Sequence, residues 1–340
     1  MKINVSPILT TQNYNINYLE IEELNKFDRY IKLDAIRFEN IKQTEYQVIE
    51  HPEIALKYGV SHELRDKIQY EIKLNINSKV FNKKYIVIDN DKLSNASSID
   101  INVEQDSKAC IYIVYKGLKY NNAIIKSSIA ENAQAKIYVI NLVNEKADNY
   151  LSIENTLADN SNLDYTIIDI GGNNSVTNYC SILQGDNSNN RLDAIYLGKD
   201  KQVKDLNYIG ELYGTNSNMN IYVEGALKDT AKKHFKGTID FKRGSKKAVG
   251  NEEEYCTLLS DKAKSISLPM LLCEEEDVVG NHATAAGKID KKQLFYLLSR
   301  GFTPKQAEKL LVRARFNTVL TKMSDCTFYD EINDLIDEIL

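Results

Sequence analysis

The chain has 340 residues, 43% hydrophobic and 27% charged, with a formal net charge of −5. That composition can bury a large core and excludes a disordered chain. Lysine and glutamate are spread along the whole length, so no basic surface argues for nucleic acid or an anionic membrane.

The first residues, MKINVSPILTTQNYN, lack the basic segment and apolar run of a secretory signal. No stretch approaches the roughly 20 apolar residues of a transmembrane helix. The cysteines, at 110, 180, 256, 273 and 326, are odd in number and without close pairs. Free thiols and a cytoplasmic location are therefore expected.

Residues 1–75 read as a small mixed α/β region, with short helices expected at Tyr46–Tyr58 and Glu63–Ile68. From about Ile76 the texture changes to β-branched and aromatic runs broken by Asn, Asp, Ser and Gly. Turn-like heads recur at Asp106, Ala133, Asn160, Ser188, Asn216 and Gly244, spaced by 27 to 28 residues. Each head leads into a strand-like run such as Ala135–Ile140 or Met219–Glu224, and a second run such as Leu206–Leu212 or His234–Phe241 closes the unit.

Two strands per repeat without a crossover helix exclude a βαβ fold, and the repeat is too short for a propeller blade. The expected architecture is an all-β core over residues 76–288, a right-handed parallel β-helix in which each strand pairs with its equivalent one turn on. Residues 289–340 read as a helical appendage. Gln293–Leu298 is helical, Gly301 suits a C-terminal cap, and Thr303-Pro304-Lys305-Gln306 spells a capping box. The helix it opens carries Ala307, Leu310, Leu311 and Ala314 on one face, and a last helix spans about Phe328–Leu340. One is basic and the other acidic, which suits a packed hairpin or docking on another protein.

The candidate chemistry lies within Gly250–Gly301. Val249-Gly250-Asn251-Glu252 is echoed by Val279-Gly280-Asn281-His282. The repeat register predicts that Glu224, Glu252 and His282 occupy equivalent places on three consecutive turns, with Cys256 following on the turn of Glu252. Thiolate, carboxylate and imidazole together suit a thiophilic metal such as iron. The same residues also fit a buried core thiol beside a surface Glu–His pair, and spacing alone favours that blander reading. Cys273 fits either core or rim, Cys110 and Cys180 fit packing positions, and Cys326 has no ligand-like neighbour. Gly171-Gly172 lacks the lysine and spacing of a phosphate loop, and His51, His62 and His234 accompany no nucleophile signature. A glycan-cleaving β-helix would need clustered carboxylates and aromatic platforms, and the chain has no tryptophan.

Several segments resemble the SufB/SufD scaffold family of iron–sulfur cluster assembly. They are Ser181–Ser188 (SILQGDNS), Phe235–Ile239 (FKGTI), Glu254–Ser260 (EYCTLLS), His282-Ala-Thr284 and Gln293–Gly301 (QLFYLLSRG). The resemblance implies a non-enzymatic scaffold on which an iron–sulfur cluster is transiently assembled. It implies a SufC-like ABC ATPase docking on the C-terminal helices, with a sulfur donor and apo-protein acceptors as further partners. It also implies pairing of two β-helices near their C-terminal turns. Cys256 falls on the scaffold cysteine of the SufB branch and His282 on the histidine shared by both branches. The chain departs from both branches: Ala283 replaces the glutamate that follows the histidine in SufB, and Gly280 replaces a SufD cysteine. With a shorter N-terminal part as well, it looks like the single scaffold of a reduced system. The expectation is a homodimer in which Cys256 of one copy approaches His282 of the other, with Glu252 or another glutamate of the run Glu252-Glu253-Glu254 supplying the missing carboxylate. The alternative is an adaptor β-helix that docks the ATPase without holding metal.

Overall fold

The computed structural model describes residues 1–8, 16–21, 30–32 and 35–340. The mixed region expected over 1–75 therefore lies partly outside the described residues. The chain forms a β-solenoid of about eight turns. Its two walls are nine-stranded sheets, in which strands alternate between walls and pair parallel with their equivalents one turn away. Parallel pairing in exact register stacks every inward residue on the inward residue of the next turn. One such file reads Ile111, Ile137, Tyr165, Leu192, Ile221, then Glu252 and His282. Its neighbour reads Ile113, Val139, Ile167, Ala194, Val223, then Glu254 and Thr284.

The corners explain the asparagine-rich heads. Asp106, Asn132, Asn160, Asn187 and Asn216 all adopt left-handed backbone angles, which Asn and Asp tolerate better than other side chains. A polar file also runs inside one wall. Asn95 donates to Asn121 at 2.8 Å, Asn121 to Asn149 at 2.7 Å, and Asn149 to Ser175 at 2.9 Å. Each amide satisfies the next, so the file is buried at little desolvation cost.

At the N-terminal end the solenoid is closed by two short antiparallel strands, Ile36–Glu39 and Tyr46–Glu50. The helix expected at Tyr46–Tyr58 is thus a strand followed by irregular chain. Tyr46 and Val48 alternate onto the core against the template strand Tyr70–Ile76, and Pro52 stops any helical continuation. The second expected helix shrinks to α1 (His62–Arg65), capped by Ser61.

The other end leads into α2 (Lys291–Ser299), α3 (Pro304–Leu320) and α4 (Tyr329–Ile339). Asp290 caps α2, and the capping box of Thr303 and Gln306 opens α3 as its sequence requires. Val312, Phe316, Val319 and Leu320 of α3, with Ile332 and Ile336 of α4, pack on the outer face of one wall, against residues such as Tyr112, Tyr138, Ile168 and Ile195. The oppositely charged helices do pair: Lys309 and Arg313 reach Asp337 at 3.2 and 3.1 Å. Leu310, Leu311 and Ala314 turn away from the solenoid and, with Tyr296 and Leu297 of α2, line an apolar groove.

Candidate functional site

The C-terminal end of the solenoid is open. Among the described residues, strand Val279–Gly287 pairs only with Val249–Leu258, and Lys264–Cys273 only with Lys232–Phe241, so each sheet ends on a free edge. Every residue of Val279–Gly287 is exposed. In Val249–Leu258 the alternation points Gly250, Glu252, Glu254 and Cys256 inward, one turn beneath that edge.

Glu252 and His282 are register partners, as the echoed Val-Gly-Asn motif predicts. Strands about 4.8 Å apart place the two side chains one above the other on the inward face. Glu224 does not join them: Ile221 stands opposite Glu252, and Glu224 opposite Tyr255. The expected equivalence fails because register partners Ile221 and Glu252 are 31 residues apart, not the 28 that separate Glu224 from Glu252; the corner at 242–248, two residues longer than 213–217, supplies two of the three, and the odd offset puts Glu224 on the other face. Glu224 instead lies on the outer wall face, where the Tyr222 hydroxyl donates to its Oε1 at 2.9 Å. Burial raises its carboxyl above the usual range.

The two inward glutamates differ sharply. Glu254 Oε1 receives Lys233 Nζ at 2.8 Å and the Tyr196 hydroxyl at 2.8 Å, while Ser267 Oγ donates to its Oε2 at 2.9 Å. Lys233 also donates to Ser267 at 2.8 Å, so the pair is sealed within a closed network. Lys233 and Glu254 have fully buried side chains. Glu252 is 0% exposed, and among the described residues neither of its carboxylate oxygens has a hydrogen-bond partner. Burial, then the nearby Glu254 charge, pushes its carboxyl up to about 8. Gly237 on the facing wall makes room for it, since a Cβ there would lie 2.1 Å from Glu252 Oε1.

Cys256 is 2% exposed and packs within the main apolar core. Its thiol is in hydrogen-bond contact with Tyr196, whose ring fits only because Gly225 has no side chain. Burial raises the thiol above its ordinary range, and the Lys233 charge opposes that rise. Ala286, not His282, is the register partner of Cys256. Four residues along a strand separate Cys256 from Glu252, roughly 13 Å. No group of three or more His, Cys, Asp or Glu side chains among the described residues lies close enough to hold one metal ion. Cys273 ends the inward file of the facing wall and is exposed, whereas Cys110, Cys180 and Cys326 are buried.

Sequence reading missed Lys233, Tyr196 and Ser267. The signal for Lys233 was present, since it alternates with Phe235 and Gly237 and so had to point inward. For Tyr196 the link to Glu254 runs across two turns and is visible only in three dimensions.

The profile described as "SUF system FeS cluster assembly, SufBD core domain" matches residues 86–315, more than half of the chain. The chain belongs to the SufBD core family. Similar curated proteins include the iron–sulfur cluster assembly protein SufD of Bacillus subtilis, 32% identical over 130 residues, or 38% of this chain and 30% of that protein. A SufBD family protein of Staphylococcus saprophyticus is 22% identical over 229 residues, covering 67% of this chain and 49% of the relative. One from Mycobacterium tuberculosis is 43% identical over 68 residues, 20% of this chain and 17% of the relative. The chain thus spans about half or less of the curated relatives it matches. Among the described residues no helix is long and apolar enough to cross a membrane.

Proposed function

We propose that this SufBD-family chain is a scaffold of a SUF-type system, on which iron and sulfide are gathered as cargo and passed to apo-proteins. The observation that carries this reading is the placement, in a SufBD core, of Glu252, Glu254 and Cys256 facing inward beneath an open sheet end that presents His282. Thiolate and imidazole donors suit iron–sulfur cargo. The edge strand Val279–Gly287 offers unpaired backbone groups to a second copy, the proposed homodimer contact. In such a pair Cys256 of one copy would serve with His282 of the other, because within one chain the two stand on different inward files. Cys256 would have to become reachable from beneath Ala286.

The apolar groove between α2 and α3, beside exposed Phe295, Phe302 and Leu310, is the proposed seat of a SufC-like ABC ATPase. Its hydrolysis would supply the motion, and this chain would supply ligands without catalysing a reaction. Five free cysteines fit a reducing, cytoplasmic setting.

Anaerobic reconstitution with iron and sulfide tests the reading in wild type, Cys256→Ala and His282→Ala, followed by visible absorption. Wild type should develop thiolate-to-iron bands that both variants lose. Equal yield in all three would remove these ligands. The adaptor reading draws support from the burial of Cys256 in the apolar core, and predicts a colourless protein that still binds the ATPase.

A further inference from the structure

A buried carboxylate without any partner is costly, and the solenoid holds one beside another that is fully satisfied. Taking a carboxyl out of water without a compensating hydrogen bond costs free energy that folding alone gives no reason to spend. Glu254 accepts from three donors, Lys233, Tyr196 and Ser267. Glu252 has two free oxygens, a carboxyl seated in the space that Gly237 leaves, and an exposed imidazole stacked one turn nearer to solvent.

We propose that Glu252 and His282 form a loading site for a single divalent cation, separate from Cys256, with Glu254 kept out of it by its buried partners. Oxygen and imidazole nitrogen are the donor set of borderline divalent ions such as ferrous, manganous or cobaltous ion, and neither needs sulfide to bind. Register places the two donors on one file, whereas the thiol lies roughly 13 Å along the strand, too far to share a first ion. Lys233 is fixed between Glu254 and Ser267, so its positive charge neutralises Glu254 and leaves Glu252 as the inward carboxyl without a cationic partner. The inference rests on the scaffold reading only for naming the natural cation as ferrous iron. A metal would thus arrive at the rim before any sulfur chemistry at Cys256.

The probe is Co2+ alone, titrated anaerobically into the full chain without sulfide and followed by its visible d–d bands and by calorimetry. Wild type should bind one equivalent without a thiolate-to-cobalt charge-transfer band. Cys256→Ser should bind equally well. Glu252→Gln and His282→Ala should each weaken binding on the order of tenfold to a hundredfold. Glu254→Gln alone strands the Lys233 charge, so it is introduced together with Lys233→Met, and that double variant should keep wild-type affinity. Circular dichroism melts establish that each variant is folded, and His282→Ala alters an exposed residue. The proposal is overturned if Glu252→Gln binds as wild type does, if Cys256→Ser abolishes binding, or if the charge-transfer band appears with the first equivalent. Absence of Co2+ binding in wild type would also overturn it, while leaving cluster reconstitution to decide the scaffold reading separately.

Discussion

The middle turns of the solenoid and its last two turns share one backbone plan and differ in what they enclose. In the middle, the inward files carry Ile111, Ile137 and Leu192, or Ile113, Val139 and Ala194, closed on both sides by like residues. At the end the same files switch to Glu252 and His282, or Glu254 and Thr284. Nothing in the pairing geometry changes at that point, so the acids are not a requirement of the fold. The middle turns also enclose charge, but as a closed pair, Lys204 with Asp169 at 2.9 Å; what the last turns add is Glu252, a buried carboxyl with no such partner.

That contrast can be broken most strongly at Lys233. Lys233→Met leaves the Glu254 charge uncompensated and should cost about 3–5 kcal/mol in a urea melt. Lys233→Met with Glu254→Leu removes both charges, resembles the aliphatic turns, and should return most of that loss. If the single variant is as stable as wild type, the sealed network is not what holds this end together.

Glu252 should act with the opposite sign. Its folded carboxyl, raised to about 8, keeps its proton while the unfolded chain releases it at ordinary carboxylate pH. The unfolded state therefore binds fewer protons across that window, and wild-type stability falls as pH rises from about 5 to about 8. Glu252→Gln should remove this slope, so its melting temperature should exceed that of wild type increasingly toward pH 8. Parallel pH profiles for the two proteins would contradict the assignment of a buried, unpartnered carboxyl.

The smallest change in stability is expected outside the barrel. Phe295 is 72% exposed, and Phe295→Ala with Leu310→Ala should shift stability by less than about 0.5 kcal/mol. Co-purification with a coexpressed SufC-type ATPase should nevertheless be lost. Retained capture would place that partner elsewhere.

Much of this was legible before any coordinates. Asn and Asp at the heads mark corners because few other side chains adopt their backbone angles, and the repeated Val-Gly-Asn motif fixes Glu252 against His282. What failed did so for a local reason. A turn three residues longer than the expected 28, two of them in the corner at 242–248, left Glu224 out of the file, since register depends on every loop between two strands. The strand at Tyr46–Glu50 was hidden because its neighbour's free edge, not its own composition, determined its state. The division of labour between Glu252 and Glu254 could not be read at all. Both alternate inward, and only side chains two turns or one wall away tell them apart.

The two ends of the solenoid differ in a way that bears on the proposed pair. One end is blunted by short antiparallel strands, four and five residues long, while the other leaves full-length edges bare. A second molecule that extends those edges must come with its own bare end, related by a twofold axis, and each then presents only its blunted end outward. In the proposed pair, stacking would close after one step, and a fibre would find no further bare end to grow on.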